Sequence, residues 1–343
     1  MRGTTPHSLG RPVAACALLL AALATGPGDA RRHAHGGAPV PVPPAGDPAT
    51  RIEMRNVGFH LDDQIVLRVA RLDGTMQSRT PGTPIVFDDK KSFVIHIDRA
   101  QVALSARDLS LLLNRYVFGY RGAPLKDLRV RTQGARLVQS GTLHKGVDIP
   151  FTILADPSVT PDGHIRLHPV RTTIFGVDGD RLMRALGLQL QDLLDLSKAP
   201  GASVHGNDIL LAPDSILPPP AITGHLTGIR VEGDQIVQTF GDSASWHEVS
   251  TRRRAPPDPN ARNFMYYQGG TLRFGKLMML DADLQIIDQH PSDLFDFDID
   301  HYLVQLVAGY SRTMPDGALE VFMPDLRTAQ RAFAERHAST ERP

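Results

Sequence analysis

The chain has 343 residues with 37 basic and 37 acidic side chains, so its formal charge is zero and nothing in its electrostatics asks for nucleic acid as a partner. At 41% hydrophobic and 22% charged it has a globular composition, and 30 Gly with 27 Pro call for many turns. The length accommodates one large domain or two ordinary ones.

The first thirty residues read as a secretory signal peptide. Arg2 and Arg11 precede an apolar run over 13–24 that is too short for a stable membrane anchor, and small residues follow it. The sole cysteine, Cys16, lies inside this segment. It precedes most of the greasy run "ALLLAALA", whereas a lipoprotein box needs that run before the cysteine. The expectation is therefore an exported chain, periplasmic or secreted, without a lipid anchor, a membrane span or disulfides. Residues 31–50 form a Pro/Gly/Ala linker. Its His33 and His35 lack the rigid geometry of a metal site.

Beyond the linker the pattern is mostly strand. "VGFHL" and "QIVLRVARLDGTMQSR" carry Val and Ile, with Asp73-Gly74 as a turn signal. In "SFVIHIDRAQVALS", Phe93, Ile95 and Ile97 alternate with Val94, His96 and Asp98. Ser105 then supplies an N-cap hydroxyl, and Asp108 a carboxylate in the first helical turn. The helix that follows runs to about Phe118, stopped by Gly119 and Gly122. Leu109, Leu112, Leu113, Tyr116, Val117 and Tyr120 make one apolar stripe, and Leu111 and Phe118 fall on roughly the opposite side. A meander comes next, with turns at Gln133-Gly134, Lys145-Gly146 and Asp162-Gly163. A second helix is expected over "DRLMRALGLQLQDLLDLS", with Leu182, Met183, Leu186, Leu190, Leu193 and Leu194 as its stripe, Leu188 off it, and Gly187 as a place for a bend. "NDILLAP" and "ITGHLTGIRVEGDQIVQTFG" close a module over 51–241.

Residues 242–263 read as a polar, proline-bearing linker. The segment 264–326 is again strand-like and reads as a C-terminal β extension with an Asp316-Gly317 turn. A charged tail over 327–343 ends the chain. Strands arranged as hairpins exclude a doubly wound parallel sheet. The fold expected is α+β: a strongly curved antiparallel sheet, or half-barrel, wrapping two apolar helices.

That arrangement resembles the tubular lipid-binding superfamily, in particular the single-module periplasmic phospholipid-binding proteins of bacteria. The resemblance is carried by "FVIHIDRAQVALS", "ARDLSLLLNRYV", "PDGHIRLHPV", "RLMRALGLQLQDLLDL" and "LTGIRVEGDQIVQTFG". It covers about 51–241 and is one of element order and texture. It implies a non-catalytic carrier or chaperone that holds the acyl chains of a lipid, a phospholipid by that likeness, in an apolar cleft. Leu109, Leu111, Leu112, Leu113, Phe118, Leu186, Leu188 and Leu190 are the expected lining. A structural envelope protein with a filled core is the plainer alternative.

Two rival chemistries stand in the sequence. "TFGDSAS" looks like the nucleophile block of the GDS-type serine esterases, with Ser243 as nucleophile, and "DIDH" offers Asp298 and His301 as the rest of a triad. The context departs from that family: only 58 positions separate Ser243 from His301, and they are strand-like. Asp296, Asp298 and Asp300 alternate with Phe295, Phe297 and Ile299, as in a strand with one face in water, so no metal is expected there. No cofactor motif occurs. Arg252, Arg253 and Arg254 offer a place for transient contact with anionic head groups, at about 1 kcal/mol per residue.

Overall fold

Four strands open the fold: β1 (Thr50–His60), β2 (Val66–Ser78), the short β3 (Ile85–Val86) and β4 (Phe93–Ser105). The computed structural model describes residues 49–241 and 254–340. In β4 the expected alternation holds, with Phe93, Ile95 and Ile97 buried and Val94 and His96 half-buried. Asp73-Gly74 is not a turn. It lies within β2 at a register shift against β4, where a Cβ on Gly74 would come 2.3 Å from the carbonyl oxygen of His96. Glycine is needed there for close approach of two backbones, not for reversal.

The first helix begins as its sequence requires. The Ser105 side chain accepts from the Asp108 N–H, and α1 (Ala106–Leu112) runs on into a π turn over Leu113–Val117. The hairpins follow: β5 (Leu125–Gln133), β6 (Arg136–Lys145), β7 (Val147–Val159), β8 (Ile165–Ile174) and the short β9 (Val177–Asp178). Their turns fall at Gly134, Gly146 and Gly163, as expected. Helix α1 lies along the free edge of β5. There the Leu128 N–H donates to Asn114 Oδ1, Asn114 Nδ2 donates to the Leu128 carbonyl, and the Val130 N–H donates to Ser110 Oγ. Two helix side chains thus do for β5 what a neighbouring strand would do, and the edge is closed to other chains.

The second helix is shorter than its leucines suggest. It ends as α2 (Gly179–Leu186), because Gly187 takes a left-handed conformation at φ 66°. Only a single turn, α3 (Leu190–Leu193), resumes after it. Then come β10 (Ala202–His205), β11 (Asp208–Leu211), a turn of helix α4 (Pro213–Ile216), β12 (Ala221–Gly224), β13 (Leu226–Glu232) and β14 (Gln235–Phe240).

The C-terminal part holds β15 (Phe264–Gln268), β16 (Thr271–Phe274), β17 (Leu277–Leu280), β18 (Asp283–Asp288), β19 (Phe295–Asp298), α5 (Tyr302–Ala308), β20 (Tyr310–Thr313), β21 (Leu319–Met323) and α6 (Leu326–Thr340). These strands are not an appendage. An 11-stranded sheet runs β13-β14-β4-β2-β1-β15-β18-β21-β20, with β12 beside β4 and β19 beside β1, so β1 joins the N- and C-terminal parts. A curled antiparallel half-barrel, β10-β11-β8-β7-β6-β5, with β9 beside β8, is the second sheet, and β17-β16-β3 a small third one. Strands make up about half of the described residues, so ladder pairing, not helix packing, sets the architecture. The helices sit at the rim of the half-barrel, α1 along β5 and α2 against β8, where Asp180 accepts from the Thr172 N–H.

Asn114→Ala would leave the Leu128 N–H and carbonyl without partners. At about 1–3 kcal/mol per unsatisfied group, the variant is expected to lose about 2 kcal/mol or more in urea unfolding, with an unchanged m-value.

Candidate functional site

The faces of the two larger sheets that meet are aliphatic, and the space between them is not completely filled. A cavity of about 70 Å³ lies there, walled by β1, β2, β4, β12, β13 and β14 on one side and by β6, β8 and β11 on the other. Gln238 is its single polar lining residue. A smaller cavity of about 10 Å³ shares Leu109, Leu137, Leu167 and Leu211 with it. A third, of about 30 Å³, meets the second at Ile153 and runs along the inner face of the half-barrel to Met183 and Leu190. Those two residues and Thr172 also line a surface depression of about 280 Å³ beside Val170 and Leu188. These separate spaces share walls and form a track of cavities from between the sheets to the surface at α2, apolar inside and mixed at its outer end, where His168, Asp180, Arg184 and Asn207 join Val170 and Leu188. Around its outer end Val147, Phe175, Val177, Leu186 and Leu188 are exposed, Phe175 in a left-handed turn with φ 52°.

The expected lining residues divide. Leu109, Leu113 and Leu190 border the track. Leu111, Leu112 and Phe118 border none of these cavities; Leu112 and Phe118 are buried in the core, and Leu111 is half-buried against it. A helix laid on a sheet edge buries two sides, so the second stripe marks packing and not a hollow. Leu186 and Leu188 are surface residues, 62% and 37% exposed, because the helix ends at Gly187 and the stripe does not continue inward. Most of the wall comes from strands, such as Leu72 in β2, Ile95 in β4 and Ile236 in β14. For β4 the sequence signal was the alternation in "FVIHI", which reports a buried face but not the gap beside it; "QIVQTF" does not alternate, and Ile236, Val237 and Gln238 are all buried.

A second feature is an acid-rich corner where the loop 60–65 meets 295–301. Asp62 shapes the loop, its Oδ1 accepting from the N–H groups of Gln64 and Ile65, while Oδ2 accepts from the Tyr116 hydroxyl at 2.6 Å and lies 3.1 Å from Arg115. Burial works to raise the Asp62 pKa, but the Tyr116 bond, the two backbone donors and the Arg115 charge outweigh it and hold the carboxyl below its usual range. Burial and the Asp62 carboxylate push the Tyr116 phenol up to about 12. His60 is bonded to Asp296. Desolvation alone would lower the imidazole, yet Asp296 and the further carboxylates leave it raised. Lys90 donates to Asp300 and to the Leu61 carbonyl.

The expectation of a water-facing aspartate row holds at Asp300, which is exposed, and only half at Asp296. It fails at Asp298, which is 1% exposed. Asp298 turns inward because its Oδ1 accepts from the N–H groups of Asp300 and His301, and its own N–H donates to the buried Gln305. His301 Nδ1 lies 3.2 Å from Asp298 Oδ1. The pair expected from the spacing is thus near, but His301 Nδ1 has no hydrogen-bond partner. Ser243 lies outside the described residues, as do Arg252 and Arg253. Arg254 is paired with Asp281 at 2.7 Å and Asp283 at 3.0 Å, which engages its guanidinium. Among the described residues no helix is long and apolar enough to cross a membrane.

The chain matches no protein-family model, no curated protein and no solved structure.

Because the folded-state pKa of Asp62 is depressed, its contribution to stability is present above the ordinary carboxylate range and is lost as pH falls through the folded value. Asp62→Asn is expected to cost about 1.5–3 kcal/mol at pH 7, the range for hydrogen bonds to a charged group. The gap to the wild type should narrow below about pH 4 in thermal or urea unfolding across a pH series.

Proposed function

We propose that this protein is an exported, non-catalytic lipid carrier of the cell envelope, and that acyl chains enter the apolar track between its two large sheets from the end at α2. The observation that carries the reading is the series of cavities with shared aliphatic walls, from Gln238 in the interior to Leu188 at the surface. A chain of about fifteen methylenes gains about 12 kcal/mol on leaving water, at about 0.8 kcal/mol per CH2. A bilayer offers the same gain, so transfer between membrane and protein is nearly balanced, which is what a carrier requires. The 70 Å³ interior corresponds to several water-sized spaces, since one water needs about 10–15 Å³. Full occupancy therefore requires the half-barrel to part from the long sheet. Side chains bordering a void already lack contacts on one side, and an incoming methylene chain restores that dispersion energy. The exposed apolar residues around α2 would meet the membrane, or the lipid leaving it. Phospholipid is the class implied by the sequence resemblance.

Native mass spectrometry of protein purified without harsh detergent is expected to show bound lipid. Ile153→Trp, placed where two of the cavities meet, is expected to weaken binding of a fluorescent fatty acid at least about tenfold, roughly the 1.4 kcal/mol of one or two lost methylene contacts. Leu277→Ser, on the exposed β17 away from the track, should bind as the wild type does. A lipid-free protein that also ignores the probe would overturn the reading.

The sequence spacing of Asp298 and His301 supports a second reading, a serine hydrolase with Ser243 as its nucleophile, although Nδ1 of His301 makes no hydrogen bond to the carboxylate. It predicts hydrolysis of short-chain nitrophenyl esters that vanishes in Ser243→Ala. Absence of turnover in the wild type would dispose of it.

A further inference from the structure

The carboxylates of the acid-rich corner are not equally served. Asp62 faces Arg115 and Tyr116, Asp296 is bonded to His60, and Asp300 to Lys90. Asp298 and Asp63 have no lysine or arginine partner among the described residues. Their carboxylate oxygens and a ring nitrogen of His301 all lie within 4.8 Å of one another. Asp298 is 1% exposed, and a buried carboxylate is expected to face a positive charge or a metal ion. Besides the backbone N–H groups that reach it, Asp298 has only histidines, His301 and the more distant His60, to balance its charge.

The state of His301 points the same way. Its Nδ1 is shielded from solvent and has no hydrogen-bond partner, although Asp298 Oδ1 is only 3.2 Å away. The two atoms are close but not aligned for N–H donation, which is how a triad histidine would use them. Asp298 Oδ1 already accepts from two backbone N–H groups, so the carboxylate would reach an ion shared with the His301 lone pair through its other oxygen. Donors about 2.0–2.2 Å from a metal, set at tetrahedral or octahedral angles, stand roughly 3 Å apart. Asp63 stands at the exposed apex of the loop that Asp62 shapes, where its side chain can turn to complete the set.

We propose that Asp63, Asp298 and His301 form a binding site for a divalent transition ion of the zinc or manganese class. Two carboxylates neutralise the dication, and the imidazole nitrogen selects against calcium, which takes oxygen ligands. The ion would tie the loop 60–65, between β1 and β2, to the segment joining β19 and α5. This site is separate from the apolar track, and the inference does not depend on lipid binding.

The test is calorimetric titration of chelator-stripped, full-length protein with zinc chloride, with native mass spectrometry to count ions. One equivalent is expected. His301→Gln and Asp63→Asn, both on the solvent side of the site, should each weaken binding at least about tenfold. Both should unfold at the wild-type midpoint in the presence of chelator, and only the wild type should be stabilised by added zinc. Three results would overturn the proposal: no zinc bound by the wild type, zinc bound equally well by both variants, as with ligation at His33 and His35, or calcium bound as tightly as zinc.

Discussion

Strands β1, β2 and β4 present their aliphatic side chains on one side, and that side has to be covered. The half-barrel covers it, joining the two sheets in one continuous core. Each aliphatic side chain so buried is worth about 1.5–3 kcal/mol, and with many of them the closure dominates the energetics of the fold. Such a closure tolerates imperfection. At about 24 cal/mol per Å³, the 70 Å³ void costs only about 1.7 kcal/mol. A fold stabilised by about 5–15 kcal/mol can carry that. Under the proposed function, the same deficit is what an apolar guest would recover on entering.

Closure leaves edges, and the two ends of the half-barrel are finished differently. On the β5 side, Ser110 and Asn114 occupy the free backbone groups, and the helix that bears them seals the half-barrel there. At the other end, α2 stops at Gly187 and a single turn resumes after it, and Met183 and Leu190 stand between the innermost part of the half-barrel and the surface depression. One edge is shut by side-chain hydrogen bonds, and at the other end Val170 and Leu188 share the surface with His168, Asp180, Arg184 and Asn207.

The acid-rich corner is held by a different economy. Gln305, fully buried, donates to the carbonyls of Asp296 and Pro324 and accepts from the Asp298 N–H, which locks β19 onto the start of α5. This fixed backbone aims Asp298 inward against the alternation of its neighbours. The loop 60–65, held by Asp62, faces it from the opposite strand ends. Charge compensation there depends on groups that are more than 200 positions apart in the chain, such as His60 with Asp296 and Lys90 with Asp300.

The sequence by itself determined what depends on near neighbours. The alternation of β4, the Ser105 cap, the turns at Gly134, Gly146 and Gly163, the antiparallel hairpins and the Asp298–His301 spacing all follow from local sterics and short-range hydrogen bonds. Only the tertiary structure decided which apolar face meets which. A period-3.6 stripe states that a side chain leaves water; it does not distinguish a solid interface from a hollow one, so Leu111 and Phe118 resolve as packing and the cavity wall falls mainly to strands. Nor does local pattern reveal that β1 pairs with β15 and makes the C-terminal strands part of one sheet, because ladder hydrogen bonds join backbones that sequence distance keeps apart. Gly74 shows the limit in one residue: Asp-Gly signals a turn, yet the close approach of a neighbouring strand is what requires the glycine.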